Sequence, residues 1–196
     1  HVKILIINVY MPFEDGDSHV DDFCDELGVI SNILEQNQDC QVVLAGDFNV
    51  DFNRCSKHSL LLSSFCENNS IHPADTHDKF NIDYTYQFCL SRFNILDHFI
   101  VSGCLFDNAI KSVYVLHEPE NLSDHDPALC YLVCISNCCR ALLKLLLLSQ
   151  PGIRLLKFIL IVIKQHCVIN CVTLLFPLKH CCVEILIVLI VVTEMH

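Results

Sequence analysis

Positive charge is scarce in this 196-residue sequence: 12 Lys and Arg stand against 23 Asp and Glu, a formal net charge of −11. Proteins that coat nucleic acid draw their non-specific affinity from clustered Lys and Arg, so the shortage argues against that role. It leaves open an enzyme that meets phosphates through a bound divalent cation, because the ion reverses the local electrostatics. A basic cluster of the kind that marks nuclear localisation is missing too. The 14 cysteines lack the paired CxxC spacing of a zinc site, and no secretory leader is recognised ahead of them. They are expected to be reduced, mostly buried thiols of an intracellular protein rather than a disulfide framework. No internal repeat is found.

A long uncharged apolar run is also absent. A membrane-spanning helix needs about 20 mostly apolar residues. The longest uncharged stretch of the C-terminal part, Gln165–Leu178, has 14 and contains Pro177. What the chain does contain is two unlike pieces. Residues 1–136 hold 6 basic and 21 acidic side chains, whereas residues 137–196 hold 6 basic and 2 acidic, and 39 of these last 60 are apolar. Residues 1–136 are therefore expected to form a domain, and 137–196 an apolar tail of separate origin. Three readings of the tail stay open: sequence read through from a non-coding region, a soluble helical appendage, or membrane association, since Lys144, Lys157 and Lys164 could snorkel. The chain opens on His1 and runs straight into an apolar stretch, so it is expected to begin inside a domain.

Val2–Tyr10 is a β-branched run too apolar to face solvent on either side, which reads as a buried strand ended by Pro12. Val20, Phe23, Cys24, Leu27, Ile30 and Leu34 recur at helical spacing, with Asp17 or Ser18 as N-cap and Asp21 and Asp22 in the first turn. Gln41–Gly46 reads as a second buried strand and Lys57–Asn69 as a helix. Tyr84–Phe88, Leu96–Ser102, Ser112–Leu116 and Pro127–Cys134 read as further strands. Strands separated by helices, with polar residues at strand ends, predict an α/β sandwich whose site lies along the strand-end rim.

Four clusters can carry chemistry. Gly46-Asp47-Phe48-Asn49 follows a buried strand, where Gly permits a sharp turn and two residues of extended chain would aim Asp47 and Asn49 to one side. A carboxylate beside a carboxamide can deprotonate water while a neutral donor holds a phosphate oxygen; the same pair is also ordinary turn chemistry. Ser123-Asp124-His125-Asp126-Pro127 offers a hard oxygen ligand and an imidazole easily poised near neutrality, or a plain polar loop. Asp97 lies within an apolar strand and needs a partner, for which orienting a histidine is one solution; His98 points to the opposite face and reads as structural. Tyr10, at a strand end, packs or serves the same rim.

In order and spacing, Tyr10-Met11-Pro12, Gly46-Asp47-Phe48-Asn49, Tyr84-Thr85-Tyr86, Leu96-Asp97-His98-Phe99 and Ser123-Asp124-His125-Asp126-Pro127 resemble the endonuclease/exonuclease/phosphatase superfamily of metal-dependent phosphodiesterases. The wording is nearest to the endonuclease domain of non-LTR (long interspersed) retrotransposons, over about residues 1–134. The resemblance implies a partial α/β sandwich of that type, its C-terminal half, with an apolar extension. It implies Asp47 as general base or nucleophile-positioning group, Asn49 on the scissile phosphate, His125 stabilising the pentacovalent phosphate or protonating a phosphate oxygen, Asp97 orienting His125, and Tyr10 hydrogen-bonding the phosphate or assisting the leaving group. Asp124 would bind the metal, Mg²⁺ or Mn²⁺, Thr85 would play a supporting part, and DNA would be the partner, with nuclear action following from kinship alone.

The family also supplies an Asn and a metal-ligating Glu ahead of the Tyr-x-Pro strand. Neither is present here, and Phe13 stands where many relatives carry Asn. Weak or no activity is therefore expected, with one sheet face left uncovered unless the tail covers it. A non-catalytic remnant and a small-molecule phosphatase, acting on a phosphoinositide or nucleotide, are the alternatives.

Overall fold

A computed structural model describes residues 2–15, 19–77, 79–89, 92–121, 123–135, 140–148, 158–164 and 183–189. In chain order these form β1 (Val2–Tyr10), α1 (Val20–Gln36), β2 (Gln41–Asp47), α2 (Lys57–Asn68), β3 (Ile71–Pro73), a 3₁₀ turn (Ala74–Thr76), β4 (Tyr86–Phe88), β5 (Arg92–Asn94), β6 (Asp97–Ser102), α3 (Gly103–Asn108), β7 (Ile110–Val115), β8 (Ala128–Ile135), β9 (Arg140–Leu148), β10 (Phe158–Lys164) and β11 (Val183–Leu189).

The run Ile4-Leu5-Ile6-Ile7 and Val9 are all fully buried, as expected of a strand enclosed on both faces. β1 lies inside a five-stranded sheet of order β11-β1-β2-β6-β3, parallel to β2 and β11. Strand alternation divides its side chains between two cores. Leu5, Ile7, Val9, Val42, Leu44 and Ile100 face helices α1 and α2, which bring Phe23, Leu27, Ile30, Leu62 and Phe65. Ile4, Ile6, Val43, Ala45, Phe99 and Val101 face the other way, onto Val113, Ala128, Cys130, Leu132 and Leu145 of a second, four-stranded sheet of order β10-β9-β8-β7. The layers are helices, sheet and sheet, an α/β sandwich.

That second sheet supplies the cover that the sequence left conditional on the tail. The inner face of the first sheet is covered by β7 and β8 together with β9, which comes from the apolar tail and pairs antiparallel with β8. The tail also enters the first sheet, where β11 pairs with β1 from Val2↔Val183 to Asn8↔Leu189. Of its apolar blocks, Leu142–Leu148 lies in β9, Ile153–Ile163 overlaps β10 and Ile185–Val192 overlaps β11, while Val168–Leu178 falls outside the described residues. Among the described residues no helix is long and apolar enough to cross a membrane.

Smaller expectations also change. The N-cap of α1 is His19, without a side-chain cap, and Cys24 on that helix is exposed; Asp17 and Ser18 lie outside the described residues. Helix α2 is capped reciprocally: Ser56 Oγ accepts from Ser59 N at 3.1 Å and Ser59 Oγ accepts from Ser56 N at 2.9 Å. Among the described thiols, Cys24, Cys55, Cys89 and Cys104 are exposed, Cys40 is half-buried, and Cys66 and Cys130 are buried, so burial is not the rule expected for these. Burial pushes the Cys66 thiol up to about 12 and raises Cys130 as well, so both are inert packing groups.

Candidate active site

The ends of β1, β2 and β6 meet at one rim of the first sheet. Tyr10 pairs in register with Asp47, and Asp47 with Asp97. Gly46 reaches this position with φ +151°, and a Cβ there would sit 1.9 Å from the Val9 carbonyl oxygen. Strands β1 and β2 can approach this closely only without a side chain at 46. Beyond Asp47 the chain turns rather than extends. Asn49 takes φ +52°, a left-handed conformation that Asn tolerates better than most residues. Asp47 Oδ1 accepts from Asn49 N at 3.0 Å, and Asn49 Nδ2 donates to the Met11 carbonyl at 2.8 Å. Asp47 and Asn49 therefore meet through an Asx turn laced to the β1 loop, and not through the extended geometry anticipated from their spacing.

Asp97, buried at the start of β6, has found its partner. Its Oδ2 accepts from His125 Nδ1 at 2.8 Å. With Nδ1 donating to Asp97, Nε2 faces Asp47 Oδ2 at 3.8 Å, too far for a direct hydrogen bond and close enough for a shared ligand or water. The strand that supports this pair is short. Thr85 Oγ1 accepts from both Leu96 N (2.9 Å) and Asp97 N (3.0 Å), which places the Asp97 backbone. Asp126 N donates to the Thr85 carbonyl, Gln87 N donates to the Asp124 carbonyl, both at 2.8 Å, and the Tyr86 ring lies 4.8 Å from the His125 ring. The supporting part expected of Thr85 thus has a physical content.

His98 points away from Asp97, as the strand pleat requires. Its Nε2 donates to the Val50 carbonyl at 2.6 Å and its Nδ1 to Asp75 Oδ2 at 2.9 Å, with the rings of Phe48 and Phe52 against it. Burial alone would lower its pKa. The charge and hydrogen bond of Asp75, the Val50 carbonyl and the charge of Asp97 outweigh that and raise it to about 9. A buried imidazolium therefore anchors the loop that follows Asp47.

Tyr10, Asp47, Asn49, Asp124 and His125 line one cleft of about 360 Å³, with Asp97 behind His125 and Asp124 exposed at its edge. All six candidate side chains, drawn from four segments, converge there. Sequence reading missed Glu14, Asp51 and Arg54, which also line the cleft, and gave Tyr86 no role beyond its motif. Arg54 sits 3.8 Å from Asp51, which also accepts from Asn53 N at 2.9 Å. Asp51 and Arg54 had only their proximity to the Gly46–Asn49 turn as a signal, and Glu14 only its place just past Tyr10-Met11-Pro12.

The donor chemistry suits a hard divalent cation, since Glu14, Asp47, Asp51 and Asp124 all bring carboxylate oxygens to the cleft. Asp47, Asp97 and His125 each offer a ligand atom, all within 4.8 Å of one another. The 2.8 Å contact between His125 and Asp97 is already a full hydrogen bond, so these two hold each other. Glu14, Asp47, Asp51 and Asp124 are then the carboxylates at the cleft whose oxygens could meet an ion or a proton.

No family model and no curated protein matches this sequence. Solved structures do. An endonuclease/exonuclease/phosphatase family protein from Bacteroides thetaiotaomicron aligns over 62% of this chain and 46% of its own, at 19% identity and TM-score 0.45. A mannosyl-6-phosphatase from Bacteroides thetaiotaomicron VPI-5482 aligns over 65% of this chain and 50% of its own, at 20% identity and TM-score 0.46. A second endonuclease/exonuclease/phosphatase family protein, from Leptotrichia buccalis, aligns over 55% and 42%, at 18% identity and TM-score 0.38. The chain spans about half the length of the structures it matches.

Proposed function

We propose that the cleft hydrolyses phosphate esters with the help of a divalent cation, Mg²⁺ or Mn²⁺, and that its substrate is a DNA phosphodiester cut by an endonuclease-like domain of retrotransposon origin. The observation that carries this reading is the His125–Asp97 pair facing Asp47 across the cleft that Tyr10, Asn49 and Asp124 line.

In this proposal Asp97 fixes the ring and tautomer of His125 and stabilises its protonated form. His125 Nε2 then meets a phosphoryl oxygen as charge builds on it. Asp47 takes the proton of the attacking water; its other oxygen is held by Asn49 N, so the carboxylate cannot swing away. The amide of Asn49 gives one N–H to the Met11 carbonyl and offers its second to the phosphate. Tyr10 stands at the rim beside the O3′ leaving group. The cation, held by Asp124 on the cleft that Glu14 and Asp51 also line, would supply Lewis acidity at the phosphate. An exposed ligand such as Asp124 holds an ion weakly, and the proposal includes low activity.

Nicking of supercoiled plasmid with Mg²⁺ or Mn²⁺ tests the reading. Slow nicking that EDTA stops, and that His125→Ala abolishes, is the expected result. Nicking that survives His125→Ala would place the chemistry elsewhere. A small phosphate monoester or a phosphoinositide is the second reading, favoured by a cleft of about 360 Å³, which is of small-molecule size, and by its acidic walls. Release of inorganic phosphate from such esters, without nicking, would select it.

A further inference from the structure

The segment that carries Asp124 and His125 rests on a side chain outside the cleft. His117, two residues past β7, places Nδ1 2.6 Å from Asp126 Oδ2 and Nε2 3.0 Å from Asp83 Oδ1. An ionised carboxylate only accepts, so both contacts are hydrogen bonds only when the ring carries two protons; neutral imidazole can satisfy one of them. The Tyr84 ring lies 4.3 Å from the His117 ring, on a face that favours a cation.

Asp126 connects this ring to the candidate active site. Its Oδ1 accepts from Asn121 Nδ2 at 2.7 Å, and the same amide donates to the His125 carbonyl at 2.8 Å. Asn121 Oδ1 accepts from Ser123 N at 3.0 Å, and Ser123 Oγ accepts from His125 N at 3.2 Å. Asp83 belongs to a different stretch, the one that leads into Thr85 and Tyr86 and holds His125 from the other side.

We infer that protonated His117 is a positioning residue, a clamp that ties Asp126 to Asp83 and thereby sets the Ser123–Asp126 segment and the ring of His125. The inference rests on reading His125 as a reacting group. The titratable groups that face His117 are Asp83 and Tyr84 from one segment and Asp126 from the other, with Glu118 its neighbour in the chain. Partial burial would lower the pKa of His117, but the hydrogen bonds and charges of Asp126 and Asp83 overcome it and raise the value. Partial burial likewise opposes the charge on Asp83, and the bond from His117 with its backbone partners holds that carboxyl below its usual range. On deprotonation the ring keeps one carboxylate and releases the other.

The test follows the imidazole nitrogens and the backbone amides of the full chain by ¹⁵N NMR across about pH 5.5 to 9, in the wild type and in Asp83→Asn. His117 is expected to carry both protons near neutrality and to titrate above the ordinary imidazole range, with Asp83→Asn moving that titration to lower pH. Amide protection at Ser123 and His125, corrected for the intrinsic pH dependence of exchange, is expected to fall about 1.4- to 5-fold as His117 loses its proton, in keeping with a partly exposed pair. The alkaline limb of phosphate-ester hydrolysis should shift by the same pH interval. A neutral His117 at pH 7, or a titration that leaves the two amides unchanged, overturns the clamp. If no hydrolysis is found, the amide response still decides the clamp; hydrolysis without the amide response keeps the reading of the cleft and removes the clamp.

Discussion

Asp97 and His125, 28 residues apart, meet at 2.8 Å through Oδ2 and Nδ1. The buried carboxylate gains a charge-assisted bond, and the imidazole gains a fixed orientation with Nε2 toward Asp47. Neither side chain has this geometry without the other.

Asp97→Asn should therefore slow phosphate-ester hydrolysis by about 10²- to 10⁴-fold, because the amide no longer stabilises the protonated ring. Unfolding should stay cooperative in the variant. A rate equal to wild type in a stopped phosphate-release assay would take the pair out of the mechanism.

Thr85 serves two backbone donors, Leu96 N and Asp97 N, from a position that is 1% exposed. Thr85→Val fills the same space without the acceptor, and should cost about 1–3 kcal/mol for the unsatisfied N–H groups. Thr85→Ser keeps the oxygen and should recover most of that loss. Urea midpoints of the three proteins at equal m decide it.

Gly46→Ala meets backbone rather than a movable side chain: Val9 O at 1.9 Å and Val9 C at 2.8 Å. Strands β1 and β2 would have to part next to Asp47, at an expected cost of at least about 2–4 kcal/mol. A denaturation midpoint equal to wild type would mean that the strands are not this close.

His98 binds its proton more tightly when folded, up to about 9 against an ordinary 6.5. Its contribution to stability is then complete below about pH 6.5 and lost as pH rises through about 9, on the order of 1–3 kcal/mol. Unfolding free energy against pH should fall across that window in the wild type and lie flatter in His98→Gln. Equal slopes would show that the folded protein holds His98 neutral.

Legibility in the sequence followed the range of the signal. The run Ile4–Ile7 and the three- and four-residue spacing of Phe23, Leu27 and Ile30 are local patterns, and β1 and α1 stand where those patterns place them. β3 and β5 have three residues each and α3 has six, too few to express a period, and none was anticipated. The need of Asp97 for a partner was legible because burying a lone carboxylate in an apolar strand is costly. The link of His117 to Asp83, 34 residues away, was not, because each of the two is an ordinary loop residue by itself. The tail posed the same difficulty in apolar form. Leu142–Leu148 gave no strand signal in the sequence, and β8 supplies the hydrogen-bonding partners that make it part of β9.

By itself, the order of residues determined which stretches had to be buried and where the chain had to turn, and its family-like motifs raised the expectation of phosphate chemistry. Tertiary structure alone decided that Asn49 turns back on Asp47, that His117 bridges Asp126 and Asp83, and that the tail completes both sheets. The physical reason is one of reach. Hydrophobic periodicity and turn preference act over a few neighbouring residues, whereas a hydrogen bond selects its partner by position in space, and only the packed sheets bring those positions together.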